Sequence, residues 1–384
     1  MKKSLKKVMA LMLSVVSLGA VAQTNPMAEQ LPVDKQVRQG TLPNGLTYYI
    51  RHNDLPKGQA DFYIAQKVGS ILEDDHQRGL AHFLEHMCFN GTQNFPGNGV
   101  IQWLETVGVK FGQNLNAYTS IDETVYNISN VPTARESVQD SCLLILHDWA
   151  DGLLLDPKEI DKERGVIHEE WRSRNVGQQR IMEQLLPTMY PESKYGYRLP
   201  IGTMEVVDNF PPQALRDYYE TWYRPDQQGI IVVGDIDPDR IEAKIKEIFS
   251  PIKMPENVKT REYEPVPDTK GTIYAIGSDP EQQYSIFNIY FKNEVVPKEM
   301  RNTMVYLVTD YITGMIGNML ASRYEEMGSN PDTPFATAFA SYDNYLVAST
   351  EDALSVGGVA KGNDMIPSFK SVYRELLRAV RGGF

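Results

Sequence analysis

Residues 79–87 read Gly79-Leu80-Ala81-His82-Phe83-Leu84-Glu85-His86-Met87, and the pentapeptide from His82 to His86 governs how the rest of the chain is read. On a helix, His82 and His86 stand one turn apart on the same face, so both imidazoles reach a single metal ion. Glu85 lies beside them, close enough to take a proton from a water activated at that metal. The alternative is a surface helix that carries two histidines by chance.

Two histidines and a base do not make a catalytic zinc site; a third protein ligand and an open position are also needed. The stretch from Pro157 to Arg174 carries four glutamates, Glu159, Glu163, Glu169 and Glu170. Its apolar residues Ile160, Ile167 and Trp171 define one helix face. At roughly 100° per residue, Glu163 and Glu170 fall side by side on the edge of that face, while Glu169 projects away from it. A carboxylate that reaches an interior metal must come from the buried edge. That selects Glu170 as the third ligand and Glu163 as a partner that orients a histidine or the ligand carboxylate. The competing reading of Glu163 is a helix ion pair or a solvated acid. His52, His76, His147 and His168 lack spaced partners and are read as surface or core histidines.

Around these helices the pattern alternates between strand and helix. Gln39 to His52 reads as a hairpin about Pro43-Asn44-Gly45, Asp61 to Val68 as a strand, and Asn98 to Val107 as a helix closed by Gly108. A strand pair is predicted at Lys110–Tyr118 and Glu123–Val131, then a helix from a Thr133 cap to about Leu154. Asp156 and Pro157 supply an N-cap and a first helical residue. Ile230 to Val233 is a buried strand, and Asp237-Pro238-Asp239 opens another helix. Residues 251–270, rich in Pro, Lys and Glu, are read as a linker. Beyond them come strands near 273–276 and 284–291, a helix over about 298–327 and a last helix over 366–381. This second unit repeats the strand-then-helix order without histidines. After its last helix only Gly382-Gly383-Phe384 remain, which predicts an incomplete domain.

At 384 residues the chain suggests about two domains, and 42% hydrophobic content is ample for packed cores, which sets disorder aside. Residues 1–22 combine Lys2, Lys3, Lys6 and Lys7 with a short apolar run and Ala20-Val21-Ala22, the signature of a secretory signal peptide rather than a stable membrane anchor. No cysteine follows that would carry a lipid. Removing these four lysines takes the net charge from −12 to −16, a surface that disfavours nucleic acid. Cys88 and Cys142 both sit in apolar helical patterns and are expected as buried free thiols rather than a disulfide.

Taken together, these strings resemble the pitrilysin/insulinase family of zinc peptidases, whose His-x-x-Glu-His helix inverts the usual zinc-protease order. The likeness rests on Gly79–Met87 with Asn90-Gly91-Thr92, on Leu115–Ser120 followed by Asp122-Glu123-Thr124, and on Lys162–Glu170. Tyr195, Arg198, Pro200-Ile201-Gly202, Trp222–Pro225 and Val233–Asp235 add later landmarks. The resemblance is dense over about 36–250. It implies an α+β protein of two homologous α/β sandwich domains of the processing-peptidase type: a catalytic one at 36–250 after an extension at 23–35, and an inactive, truncated one at 271–384. It also implies one zinc ion per catalytic domain on His82, His86 and Glu170, with Glu85 as general base. Peptide would lie extended along Asn116, Ala117 and Thr119, bound through backbone hydrogen bonds. The implied activity is endoproteolysis of unfolded peptides, and the implied location is across the inner membrane, in the periplasm. The partner would be a C-terminal half of the same protein or a second subunit, because the arginine and tyrosine that the family supplies from a facing half have no match in 251–384. A catalytically silent peptide-binding relative and a zinc hydrolase acting on non-peptides are the rival readings.

Overall fold

The computed structural model describes residues 29–362 and 364–384. The expected leader at 1–22, and residues 23–28 of the expected extension, lie outside the described residues.

The first elements among the described residues form a hairpin, β1 (Val37–Thr41) and β2 (Thr47–His52), closed by a turn with Gly45 at φ +96°, a conformation that glycine tolerates best. Next come β3 (Gln59–Gln66), α1 (Leu80–Met87), α2 (Gly99–Thr106), β4 (Leu115–Thr119) and β5 (Thr124–Pro132). Helices α3 (Glu136–Asp151), α4 (Pro157–Arg174), α5 (Gly177–Met189), α6 (Met204–Asn209) and α7 (Pro212–Trp222) follow, then β6 (Gln228–Gly234) and α8 (Pro238–Phe249). Six strands form one sheet in the order β1-β2-β6-β3-β5-β4. Only β2 and β6 run parallel; the other neighbours are antiparallel. The alternation expected of a one-sided sheet is present: Ala60, Phe62, Ile64 and Gln66 of β3 are buried, and the residues between them are half-exposed. Helices α3 and α8 pack on the sheet, and α1 packs against β4, α4 and α7. The result is a two-layer sandwich in which α1 is sunk in the helical layer and β4 forms the edge of the sheet.

Two compact units are present: 34–283 with 347–350, which contains this sheet, and 29–33 with 284–346 and 351–384. The latter holds β7 (Ile286–Glu294), α9 (Met304–Gly328), β8 (Phe335–Tyr345), the part of β9 (Ala348–Ala360) from Glu351 onward, and α10 (Met365–Gly382). Its sheet runs β7-β9-β8, and its core gathers Phe287, Leu320, Tyr324, Phe335, Val356, Val372 and Leu376.

Several expectations shift. The strand anticipated at 273–276 does not form: Tyr274 and Ile276 are 81% and 90% exposed, and a strand without a ladder leaves its backbone to water. The helix anticipated from Lys298 starts at Met304, because the Thr303 hydroxyl accepts the Tyr306 amide and caps it there. Helix α3 stops at Asp151, since the chain turns at Gly152 and Leu155 takes φ +48°. Asp156 and Pro157 do open α4, with the Asp156 carboxylate accepting the Lys158 amide at 2.8 Å. Cys88 and Cys142 are buried free thiols, and burial pushes both up from their ordinary range. No helix among the described residues is long and apolar enough to cross a membrane.

Candidate metal centre

Helix α1 is short, and the first amides of any helix lack internal partners. Glu73 satisfies two of them from outside: one carboxylate oxygen accepts the Gly79 amide at 3.1 Å and the other the Ala81 amide at 2.8 Å. This acid is fully buried, and burial pushes it up to about 8, against the pull of the two amides and the nearby Arg198 and Arg78. Gly202, at φ +67°, lies so close that a Cβ there would stand 2.3 Å from the Arg78 carbonyl oxygen and from the Gly79 Cα. The loop at 199–202 is thus pressed against the start of α1. Phe83, Leu84 and Met87 seat the helix in the core.

Helix α4 is held opposite by Arg164, whose guanidinium donates to the Val207 and Phe210 carbonyls and lies 4.2 Å over the Phe210 ring. Phe210 in turn meets Phe83 of α1 edge-to-face, with centroids 4.9 Å apart. Both helices therefore pack on one aromatic ring, which sets their registers.

That packing brings His82, His86 and Glu170 together, with one ligand atom from each lying within 4.8 Å of the others. His82 Nε2 is 3.4 Å from Glu170 Oε1, and His86 Nε2 is 3.3 Å from Glu170 Oε2. Two imidazole nitrogens and a carboxylate oxygen converging on one point fit a zinc ion with an open fourth position. The far side of His86 supports this fit: Nδ1 meets Glu163 Oε1 at 2.7 Å, which leaves Nε2 to face the convergence point. Glu163 is held in turn by Asn90, whose amide donates to Oε2 at 2.8 Å. His82 Nδ1 is buried without a hydrogen-bond partner among the described residues. Burial works against a charge on His86, but the hydrogen bonds to Glu163 and Glu170 outweigh it and push the imidazole up to about 9. Glu170 moves the other way; hydrogen bonds with His82 and then His86 hold it far below the usual carboxylate range. Such a mutually charged cluster is what a divalent cation would replace.

Glu85 lines the same cleft, a space of about 440 Å³ walled by Ala117, Tyr118 and Thr119 of β4, by Trp171 and Arg174 of α4, and by residues 199–201. Thr119 donates its hydroxyl hydrogen to Glu85 Oε2 at 2.5 Å. Asn116 sits on β4 opposite Asn127 and is not among the residues lining the cleft, whereas Ala117 is. Arg174, one turn beyond Glu170, reaches its Oε1 at 2.9 Å. His168 pairs with Asp208 and Glu169 with Arg172, both away from the cluster. Glu73 and the Thr119–Glu85 contact were not read from the sequence, for neither shows a periodic signal. Asn90 stood in a quoted motif without an assigned role.

Residues 49–200 match the family model described as insulinase (peptidase family M16), and residues 209–329 match the M16 inactive domain. The chain belongs to the M16 peptidase family. It is 40% identical over 231 residues to the probable zinc protease PqqL of Escherichia coli, an alignment covering 60% of this chain and 24% of PqqL. The Haemophilus influenzae protein of the same name is 35% identical over 247 residues, covering 64% of this chain and 27% of that one. Among solved structures, the first half of the periplasmic protease PqqL from E. coli superposes with a TM-score of 0.80 at 30% identity, covering 93% of this chain and 75% of that one. This M16 chain therefore spans about a quarter of the length of the curated relatives it matches. The α+β sandwich expected from the family strings is the observed architecture.

Proposed function

We propose that this chain carries the catalytic site of a zinc metalloendopeptidase that hydrolyses unfolded peptides. The reading assigns zinc to His82, His86 and Glu170, with Glu163 orienting His86. A zinc ion held there would act as a Lewis acid toward a peptide carbonyl and lower the pKa of a water from about 15.7 to about 7. Glu85 would take the proton of the attacking water and return it to the leaving amine. The edge of β4, with Ala117 and Thr119 facing the cleft and Asn116 one residue before, would bind the substrate as an added strand. The arrangement that carries the reading is the convergence of two histidines and a glutamate beside a second, differently held glutamate in one open cleft.

The catalytic domain would comprise 36–250 and the linker 251–270, with 271–384 a second, inactive domain. A C-terminal half or second subunit would complete the substrate chamber, consistent with the small share of its relatives that this chain covers. The matched E. coli structure is that of a periplasmic protease, and we assign this chain to the same compartment.

The test is hydrolysis of a mixture of unstructured fluorogenic peptides by the zinc-loaded chain, alone and with a downstream half supplied in trans. Cleavage that disappears in Glu85→Gln and with a chelator is the expected result. If zinc binds in stoichiometric amount yet neither preparation cleaves, the peptide-binding relative is the better description.

A further inference from the structure

Thr119 ends β4 and pairs with Thr124, the first residue of β5. Its hydroxyl lies 2.5 Å from Glu85 Oε2, across 34 residues of sequence. The carboxylate accepts in this pair, so the hydroxyl proton must come from Thr119. The neighbouring Thr124 hydroxyl spends its own proton on the Val68 carbonyl at 2.9 Å and lies 3.5 Å from Thr119 Oγ1. Thr119 is therefore free to donate to Glu85, and Glu85 Oε1 accepts no hydrogen bond among the described residues.

The strand end that carries Thr119 is itself firmly held. Ser120 donates its amide to the Glu123 carbonyl at 2.7 Å, and the amides of Ser70 and Ile71 donate to the Ser120 and Ile121 carbonyls. Asp122, in the same turn, accepts the Tyr195 hydroxyl at 2.9 Å and faces the half-buried Arg261 at 3.5 Å. A Cβ on Gly69 would come within 2.4 Å of the Ile121 carbonyl oxygen, so the backbones there are in close contact. The Thr119 hydroxyl is thus a fixed donor, not a mobile surface group.

We propose that Thr119 is a positioning residue for Glu85: its hydroxyl pins one carboxylate oxygen and leaves the other directed to the reacting water and leaving amine. This rests on the proposed peptidase reading and gives Thr119 a role other than substrate contact. A base oriented by a third group is a recurring arrangement at such sites, because an unrestrained carboxylate samples orientations that do not reach the proton.

The test compares Thr119→Val, which keeps the side-chain shape and removes the hydroxyl, with Thr119→Ser, which keeps the hydroxyl. Three quantities are read: zinc stoichiometry, kcat and KM on a fluorogenic peptide, and the Glu85 carboxylate orientation in crystal structures of each zinc-loaded variant. The expected result is full zinc in both. In Thr119→Val, kcat should fall about 10-fold or more with KM within about 2-fold, and Glu85 should be rotated or split between orientations. Thr119→Ser should restore both kcat and orientation. A rise in KM at constant kcat, or an unchanged Glu85 in Thr119→Val, overturns the proposal. If the wild-type chain cleaves nothing even with the downstream half supplied in trans, the peptidase reading fails, while the crystallographic comparison still decides whether Thr119 holds Glu85.

Discussion

His86 and Glu163 meet at 2.7 Å from helices 77 residues apart, with the carboxylate on the ring nitrogen opposite the one that faces the proposed metal. That single contact sets the tautomer and the tilt of the imidazole. In Glu163→Ala, zinc affinity is expected to fall about 10–100-fold, measured by competition with a chromophoric chelator. Glu163→Gln should fall less, since an amide oxygen still accepts from Nδ1. Equal affinity in all three proteins would remove Glu163 from the site.

Glu73 makes stability depend on pH. Its folded pKa is raised from 4.5 to about 8 by burial, so between those values the folded chain holds a proton that the unfolded chain has lost. Where the folded state binds more protons, stability falls as pH rises. The contribution of Glu73 is complete below about pH 4.5 and declines through about pH 8. Thermal unfolding of wild type minus Glu73→Gln should trace that decline. A difference that is flat across the window would contradict it.

Gly202 tests the contact between the cleft wall and the metal helix. Alanine there meets both a strained φ of +67° and backbone atoms at 2.3 Å, so the chain must shift. Gly202→Ala is expected to lose about 1–3 kcal/mol in denaturant unfolding and to weaken zinc binding, because the displaced neighbour is the N-terminus of α1. Gly97→Ala, at φ +60° with open space around its Cβ, is the control for strain alone and should leave zinc binding unchanged.

Asp156 caps α4 a long way from Glu170. Asp156→Ala is expected to cost about 1 kcal/mol of stability, read as a lower urea midpoint, with zinc affinity unchanged. A loss of zinc affinity would mean that the whole helix shifts when its first turn frays.

Much of the candidate site was legible in the amino-acid string. His82, Glu85 and His86 follow from helical spacing, and Glu170 was separated from Glu169 by the face that Ile160 and Ile167 define. The observed burial of those two isoleucines and the exposure of Glu169 agree with that division. Asp156-Pro157 marked its helix start because capping uses residues two apart in the chain. The helix-face assignments depend on the 3.6-residue period and the cap on residues two apart, and sequence neighbours carry both by themselves. The partners that hold the site do not. Glu73 finds the start of α1 only because the loop at 199–202 and the buried Arg198 enclose it, and Thr119 finds Glu85 only because β4 occupies the edge of the sheet beside α1. Phe210 sets α1 against α4 through one ring and one guanidinium. Sequence alone determined which side chains share a helix face; the order of strands and the packing of helices decided which distant side chains restrain them, because hydrogen bonds and ring contacts act over a few ångströms and only the folded backbone brings those groups within that range.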